Sequence, residues 1–217
     1  MNAVEISDTD RPDPSVTDAI RAAIVSGEFA PNQRLIEADL TGSLGASRTS
    51  IRSALFELAT EGLVDRLPNR GARVRSVSLD EAVEILEVRI AVEGLCAAKA
   101  AERITDGEVD ELRLLRAALI ESVSAGDLLE YSRLHQNLDR RIREISAQAT
   151  AVGIIERLRA QSVRHQFRLS FQAGRARVSV NEHVAIIDAL IDRDPVAAQA
   201  ATREHLMSVI EALRSLT

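Results

Sequence analysis

Three of the four histidines in the sequence fall on the apolar faces of helices that hydrophobic periodicity predicts in the C-terminal part of the chain. They are His135, His183 and His205. Asp139 follows His135 by four residues, which places both side chains on one face of one helix, about 6 Å apart at Cβ. Because three imidazoles and a carboxylate suit zinc, nickel, manganese or iron, we predict that these four residues bind one divalent metal ion.

Two alternative roles for the histidines stay open. Taken one at a time, each histidine fits more readily as a hydrogen-bonded residue of the core. The second alternative is a metal-dependent hydrolase, which would need an open coordination position and a nearby general base. No further Glu or His is placed with the histidines in a way that indicates such a base. The sequence therefore favours a binding site over a catalytic one.

A second group of residues, between Gly45 and Arg75, is suited to binding nucleic acid. This segment has six arginines and three acidic residues, a local charge of +3 (6 − 3), whereas the whole chain has a net charge of −6. A basic excess confined to one segment is typical of proteins that bind DNA through one part of their surface. The aromatic content of 2% argues against single-stranded nucleic acid, whose bases stack on aromatic rings.

The elements that must position these arginines follow from helical and strand periodicity. Helical spacing after Ser15, ended by Gly27, predicts a first helix. A second helix spans Glu37–Leu44, and Ser47 caps a third helix that runs to about Thr60. Two alternating strands joined by a tight turn come next. Together these elements predict a helix-turn-helix followed by a β-hairpin wing.

The start of the third helix carries the residues that could contact DNA. A recognition helix enters the major groove with its N-terminal end, where free N–H groups favour phosphate oxygens. Arg48 and Arg52 have the fork geometry that guanine or phosphate requires. The hydroxyls of Ser47, Thr49 and Ser50 can donate hydrogen bonds to the DNA backbone. We predict contacts to double-stranded operator DNA from these residues; the alternative is a generic winged-helix interaction module with a solvated arginine face.

From Asp80 onward the sequence shows only helical periodicity, with breaks that predict six helices. The breaks lie near 105–107, 125–126, 147–153, 173–174 and 194–195. The predicted fold class is mainly α: an N-terminal winged helix-turn-helix of three helices plus a β-hairpin, followed by an all-α bundle of about six helices. We predict a disordered tail over residues 1–14, a DNA-binding domain over 15–76 and an all-helical domain over 80–217.

Composition and the N-terminal residues indicate the compartment. The single cysteine, Cys96, excludes an internal disulfide and fits a reducing environment. Residues 1–14 have no basic region followed by an apolar stretch, so they do not predict a signal peptide. No apolar run approaches the ~20 residues that span a membrane. We therefore expect a cytoplasmic protein with no membrane partner.

Three segments of the N-terminal part resemble the GntR family of bacterial repressors: residues 27–35 (GEFAPNQRL), 46–64 (ASRTSIRSALFELATEGLV) and 69–74 (NRGARV). The resemblance implies that Ser47, Arg48, Thr49 and Arg52 contact DNA. It also implies that Arg70 and Gly71, at the tip of the wing, reach toward the minor groove. Ser50 stands where the family often has proline and Ser53 where it often has an acid or amide, so the resemblance does not give the operator sequence.

The C-terminal part resembles the FCD ligand-binding domain of the FadR subfamily of GntR regulators, in residues 87–101, in Glu182-His183 and in 203–206 (REHL). Members of that subfamily commonly hold a divalent metal through an Asp-x-x-x-His pair and two later histidines. Here the pair is reversed, as His135-x-x-x-Asp139.

The same resemblance implies that Arg89 meets the carboxylate of a small organic acid effector, for which a guanidinium fork is suited. A helical salt bridge between Arg89 and Glu93 is the alternative. Winged-helix DNA-binding proteins usually bind two operator half-sites, so we also expect a homodimer.

Overall fold

The computed structural model describes residues 15–67, 71–170, 172 and 174–215. Two compact units are present, one ending at Ser76 and the other beginning at Val77. The predicted tail over residues 1–14 and Arg70 at the predicted wing tip lie outside the described residues. The fold is mainly α with one small sheet, as the sequence predicts.

The first unit contains three helices and three strands in its described part: α1 (Val16–Ser26), β1 (Arg34–Leu35), α2 (Glu37–Leu44), α3 (Arg48–Thr60), β2 (Val64–Leu67) and β3 (Gly71–Val74). The helix bounds follow from local chemistry. The Ser15 hydroxyl accepts a hydrogen bond from the Asp18 N–H and caps α1, while Gly27 ends it with φ +86°. Ser47 caps α3 in the same way, through the Ser50 N–H.

A three-stranded antiparallel sheet, in the order β1-β3-β2, covers one side of this unit. Helices α1 and α2 both pack against α3, whose inward stripe is fully buried: Ile51, Ala54, Leu55 and Leu58. Gly71, at the start of β3, has φ +82°, and a Cβ there would lie 2.2 Å from the Leu35 carbonyl oxygen. Only glycine fits this close approach between β3 and β1.

The second unit is all-helical in its described residues, with α4 (Leu79–Arg103), α5 (Asp106–Ser124), α6 (Leu128–Ser146), α7 (Ala149–Ser170), α8 (Arg175–Ile191) and α9 (Pro195–Arg214). Six helices were expected, but α7 begins at Ala149, inside the predicted break over 147–153. The break itself is short because Ala147 alone takes a left-handed conformation, with φ 48°, and ends α6. Gly153 lies within α7, where a helix tolerates it at some cost in stability.

Caps again define the helix starts of the second unit. Thr105 and Glu108 form a reciprocal capping box at α5, and Asp194 caps α9 with Pro195 at its first position. Helix α4 packs against α6, α7, α8 and α9 and so lies at the centre of the unit. None of the described helices is long and apolar enough to cross a membrane.

Candidate metal and DNA-binding sites

The start of α3 presents the residues that the sequence predicts for DNA contact. Arg48, Thr49 and Ser50 are exposed there. Ser47 accepts the Ser50 N–H at 3.1 Å, and the two hydroxyl oxygens are 2.8 Å apart. Ser47 therefore has a structural role as the cap of α3, whatever contact it makes with DNA. The DNA roles of these residues stay predictions.

Arg52 is held in place by a residue that sequence reasoning did not single out. Its Nε donates to Glu37 Oε2 at 2.7 Å, across fifteen positions of sequence, and 70% of the Arg52 side chain is exposed. Glu37 lies in the first turn of α2, so this contact joins the two helices of the helix-turn-helix. Because Nε is the one Arg52 nitrogen with a partner among the described residues, both terminal nitrogens can form the paired hydrogen bonds that guanine accepts.

The hairpin is also tied to α3. Phe56 is 59% exposed, and the guanidinium carbon of Arg66 on β2 lies 5.6 Å from its ring centroid, within the range of a cation–π interaction. Gly71 has a structural reason to be glycine, as described above, in addition to its predicted place at the wing tip.

In the second unit, His135 on α6, His183 on α8 and His205 on α9 come together. One ligand atom from each lies within 4.8 Å of the others, an arrangement that could hold a metal ion. The ring centroids of His135 and His183 are 4.4 Å apart, and those of His183 and His205 are 4.6 Å apart. The sequence-predicted histidines therefore share one location.

His183 is the most deeply buried of the three, with 1% exposure. Its Nδ1 lies 3.0 Å from the Tyr131 hydroxyl, and its Nε2 is buried with no hydrogen-bond partner among the described residues. Burial, with His135 and His205 close by, holds the pKa of His183 well below its ordinary value, so the ring is neutral. In the tautomer whose Nδ1 donates to the phenol oxygen, Nε2 is unprotonated and can bind a metal.

His205 is oriented by a carboxylate. Its Nδ1 donates to Glu182 Oε2 at 2.7 Å, which leaves the lone pair on Nε2. Arg175 donates to the same oxygen at 2.9 Å. Burial alone would raise the pKa of Glu182, but hydrogen bonds from His205 and Ser208 lower it to about 2. The sequence did not single out Glu182 as a partner of the histidines, because the spacing along the chain does not reveal that α8 brings this carboxylate to His205.

Asp139 lies beside the histidines but outside the group of three. Its Oδ2 is 3.4 Å from His135 Nε2 and accepts a hydrogen bond from Arg159 on α7. Burial opposes ionisation of Asp139, yet Arg159 holds the pKa of this carboxyl below its usual range. Burial lowers the pKa of His135, so a neutral imidazole faces an ionised carboxylate. Asp139 thus stays a predicted ligand that already has a cationic partner.

Arg89 forms the ion pair that the sequence left open as one of two alternatives, and its contact with an effector stays a prediction. Its Nε donates to Glu93 at 2.7 Å, which is the helical salt bridge, and 4% of its side chain is exposed. Its Nη1 is nevertheless buried with no partner in the described part of the chain. A buried guanidinium nitrogen without an acceptor is costly, and an anion would satisfy it. His165 lies elsewhere, with Nε2 2.9 Å from the Val77 carbonyl oxygen.

Comparisons with known proteins find a family match for each of the two units. The family of bacterial regulatory proteins named gntR matches residues 13–74, and the FCD domain matches residues 84–208. The Nta operon transcriptional regulator of Aminobacter aminovorans is 30% identical over 196 residues, which cover 88% of this chain and 90% of that protein. The HTH-type transcriptional repressor RspR of Escherichia coli is 26% identical over 197 residues, which cover 91% of this chain and 86% of that protein.

Solved structures show the same fold. The structure described as E. coli McbR/YncC superposes with a TM-score of 0.76 at 22% identity, covering 95% of this chain and 99% of that one. The crystal structure described as a putative transcriptional regulator GntR from Rhodococcus sp. RHA1 superposes with a TM-score of 0.68 at 20% identity. The match covers 93% of this chain and 97% of that one. With both family models and full-length relatives in agreement, the chain belongs to the GntR family of bacterial DNA-binding transcriptional regulators, in the group with an FCD domain, and is not an enzyme.

Proposed function

We propose that this protein is a ligand-responsive repressor of the FadR type that binds its operator as a homodimer and responds to a small carboxylate held at a divalent metal in its second unit. The observation that carries the proposal is the convergence of three imidazoles, one of which keeps a buried Nε2 without a hydrogen-bond partner among the described residues. A core histidine satisfied by its neighbours would not leave that atom orphaned.

The metal would be bound by His135, His183 and His205, with Asp139 as the fourth ligand. The imidazole-rich set favours zinc or nickel over manganese, which prefers oxygen ligands. The contact of 3.4 Å between His135 Nε2 and Asp139 Oδ2 is close to the roughly 3 Å that separates two neighbouring ligand atoms, each about 2.1 Å from one ion. A bound metal would act as a Lewis acid toward an effector oxygen.

The effector would be a small carboxylate, because the free Nη1 of Arg89 is the atom that an anion in this site can satisfy. Arg89 contributes to the electrostatic environment of His135, which supports a location of the guanidinium on the side of the histidine cluster. We therefore expect one carboxylate to meet both the metal and Arg89.

DNA binding would use the exposed start of α3, with Arg48 and Arg52 as the main contacts and the hairpin as the wing. Repression is inferred from the relative RspR, whose name states that it is a repressor. A dimer matches a two-fold operator and raises affinity through effective concentration. We assign dimerisation, like effector binding, to the second unit.

Elemental analysis of protein purified without chelator tests the metal directly. We expect close to one equivalent of zinc or nickel per chain in the wild type and a large loss in His183→Ala and His205→Ala. His165→Ala is the matched control, because His165 lies outside the cluster, and it should keep the metal. Absence of stoichiometric metal in the wild type, with no uptake of zinc, nickel or manganese, would refute the metal site.

A further inference from the structure

One face of α6 carries a line of four polar side chains spaced four residues apart: Tyr131, His135, Asp139 and Arg143. Residues at this spacing lie on one side of a helix, one turn above another. The histidine cluster marks one end of this line. At the other end Arg143 lies eight residues beyond His135, about 12 Å of helix rise. Long helical side chains lean toward the helix N-terminus, and the electrostatic interaction of Arg143 with Asp139 agrees with this direction.

Arg143 is a partly buried cation without an anion of its own. Its guanidinium makes neither an ion pair nor a hydrogen bond within the described part of the chain. Burial and the neighbouring Arg159 guanidinium lower the pKa of Arg143, against the opposing effect of Asp139. Glu156 also faces Arg143, but it is exposed to solvent. The cation is therefore short of negative charge.

The charges along this face and around the histidine cluster do not balance when the mutually paired Arg175 and Glu182 are set aside. Three guanidinium groups, on Arg89, Arg143 and Arg159, face two partly buried or buried carboxylates, on Glu93 and Asp139, which leaves an excess of +1 (3 − 2). A divalent metal at the histidine end would raise the excess to +3. One carboxylate would reduce it only to +2, and uncompensated charge away from water is costly.

We propose that the effector carries two anionic groups: one carboxylate meets the metal and Arg89, and a second anionic group lies between Arg143 and Arg159. This inference rests on the proposed function and narrows its ligand to a class. The second group is a carboxylate or a phosphate, since the N–H donors of a guanidinium group bind either one. The spacing of one to two helical turns between the two ends, about 5–11 Å, suits a short chain between the anionic groups.

Matched pairs of acids test the proposal on the full-length, zinc-loaded protein by calorimetric titration. Malate is compared with 2-hydroxybutyrate, which replaces the second carboxylate by a methyl group, and 3-phosphoglycerate is compared with glycerate. We expect the acid with two anionic groups in at least one pair to bind ten-fold or more tightly than its partner, and the pair that discriminates identifies the second group. Equal affinities within both pairs would overturn the proposal that the effector has a second anionic group.

A variant shows where the second group binds. Arg143→Met should remove most of the preference for the acid with two anionic groups while keeping the affinity for the monoanion. Arg140→Met is the control, because Arg140 is an exposed residue of the same helix that pairs with Glu144 and Asn137. A preference that survives in Arg143→Met would contradict the placement. If no acid of either pair binds to metal-loaded protein, the proposed function and this inference both fail. If only the monoanions bind, the proposed function stands and the proposal of a second anionic group is overturned.

Discussion

The two units of this regulator place their functional charges in opposite surroundings. Arg52 in the first unit is 70% exposed and is steadied by the half-buried Glu37. Arg89 in the second unit is 4% exposed and is only partly satisfied by Glu93. Exposed charges contribute little to folding, whereas a buried charge or an orphaned imidazole affects stability and ligand binding together. Changes in the first unit should therefore alter DNA binding alone, and changes in the second should alter both.

The largest effect should come from removing the metal. A ligand present at a thousand times its Kd stabilises the folded state by about 4 kcal/mol, which is on the order of 10 °C for a domain of this size. We expect chelation to lower the melting temperature of the second unit by roughly this amount, and added zinc to restore it. Differential scanning calorimetry measures both.

His183→Ala should lose the metal-dependent shift, and His165→Ala should keep it. Because no metal ligand is predicted in the first unit, its transition should be unchanged by chelator. A chelator effect of equal size in His183→Ala would mean that the histidine cluster is not where the metal acts.

The next effect belongs to the first unit. Arg48→Ala and Arg52→Ala should each weaken operator binding by about 1–3 kcal/mol, the worth of a bidentate contact to guanine. Fluorescence anisotropy with operator DNA recovered from co-purified fragments measures the change, and calorimetry should show the wild-type melting temperature. Arg113→Ala, an exposed arginine on α5, is the control and should bind DNA as the wild type does. Full affinity in both recognition-helix variants would remove these arginines from the interface.

The smallest effects come from making the same substitution in both units. Glu182→Gln should weaken metal affinity about 10–100-fold, because the carboxylate that orients His205 is replaced by a neutral amide. Glu37→Gln should weaken operator affinity only about 2–5-fold, because a solvent-exposed ion pair contributes about 0.2–1 kcal/mol. Metal titration and anisotropy give the two values. Equal effects would show that burial does not set the difference between the units.

Local features were predictable from the sequence because they depend on neighbouring residues. The caps at Ser15 and Ser47, the end of α1 at Gly27 and the inward stripe of α3 all follow from spacing and side-chain type. The apolar faces that carry the histidines follow from the same periodicity. Helix number in the second unit was predictable for this reason too.

The partners of the functional residues were not predictable, because they come from other elements. Glu37 meets Arg52 across the helix-turn-helix, and Glu182 meets His205 across two helices. The contact of Tyr131 with His183 joins residues fifty-two positions apart. Each contact depends on how far a helix is rotated about its own axis when it packs, which periodicity does not specify. The left-handed Ala147, which shortens the break before α7, gave no composition signal either.

The three histidines come from α6, α8 and α9, and the last of them lies near the end of the described chain. A chain emerging from the ribosome therefore has His135 and His183 outside the exit tunnel well before His205. Until α9 is synthesised, the nascent protein lacks one of the imidazoles and the carboxylate–imidazole contact that orients it. Metal capture by the complete cluster would then come late in biosynthesis, and chains truncated before α9 would lack the stabilisation that a bound metal provides.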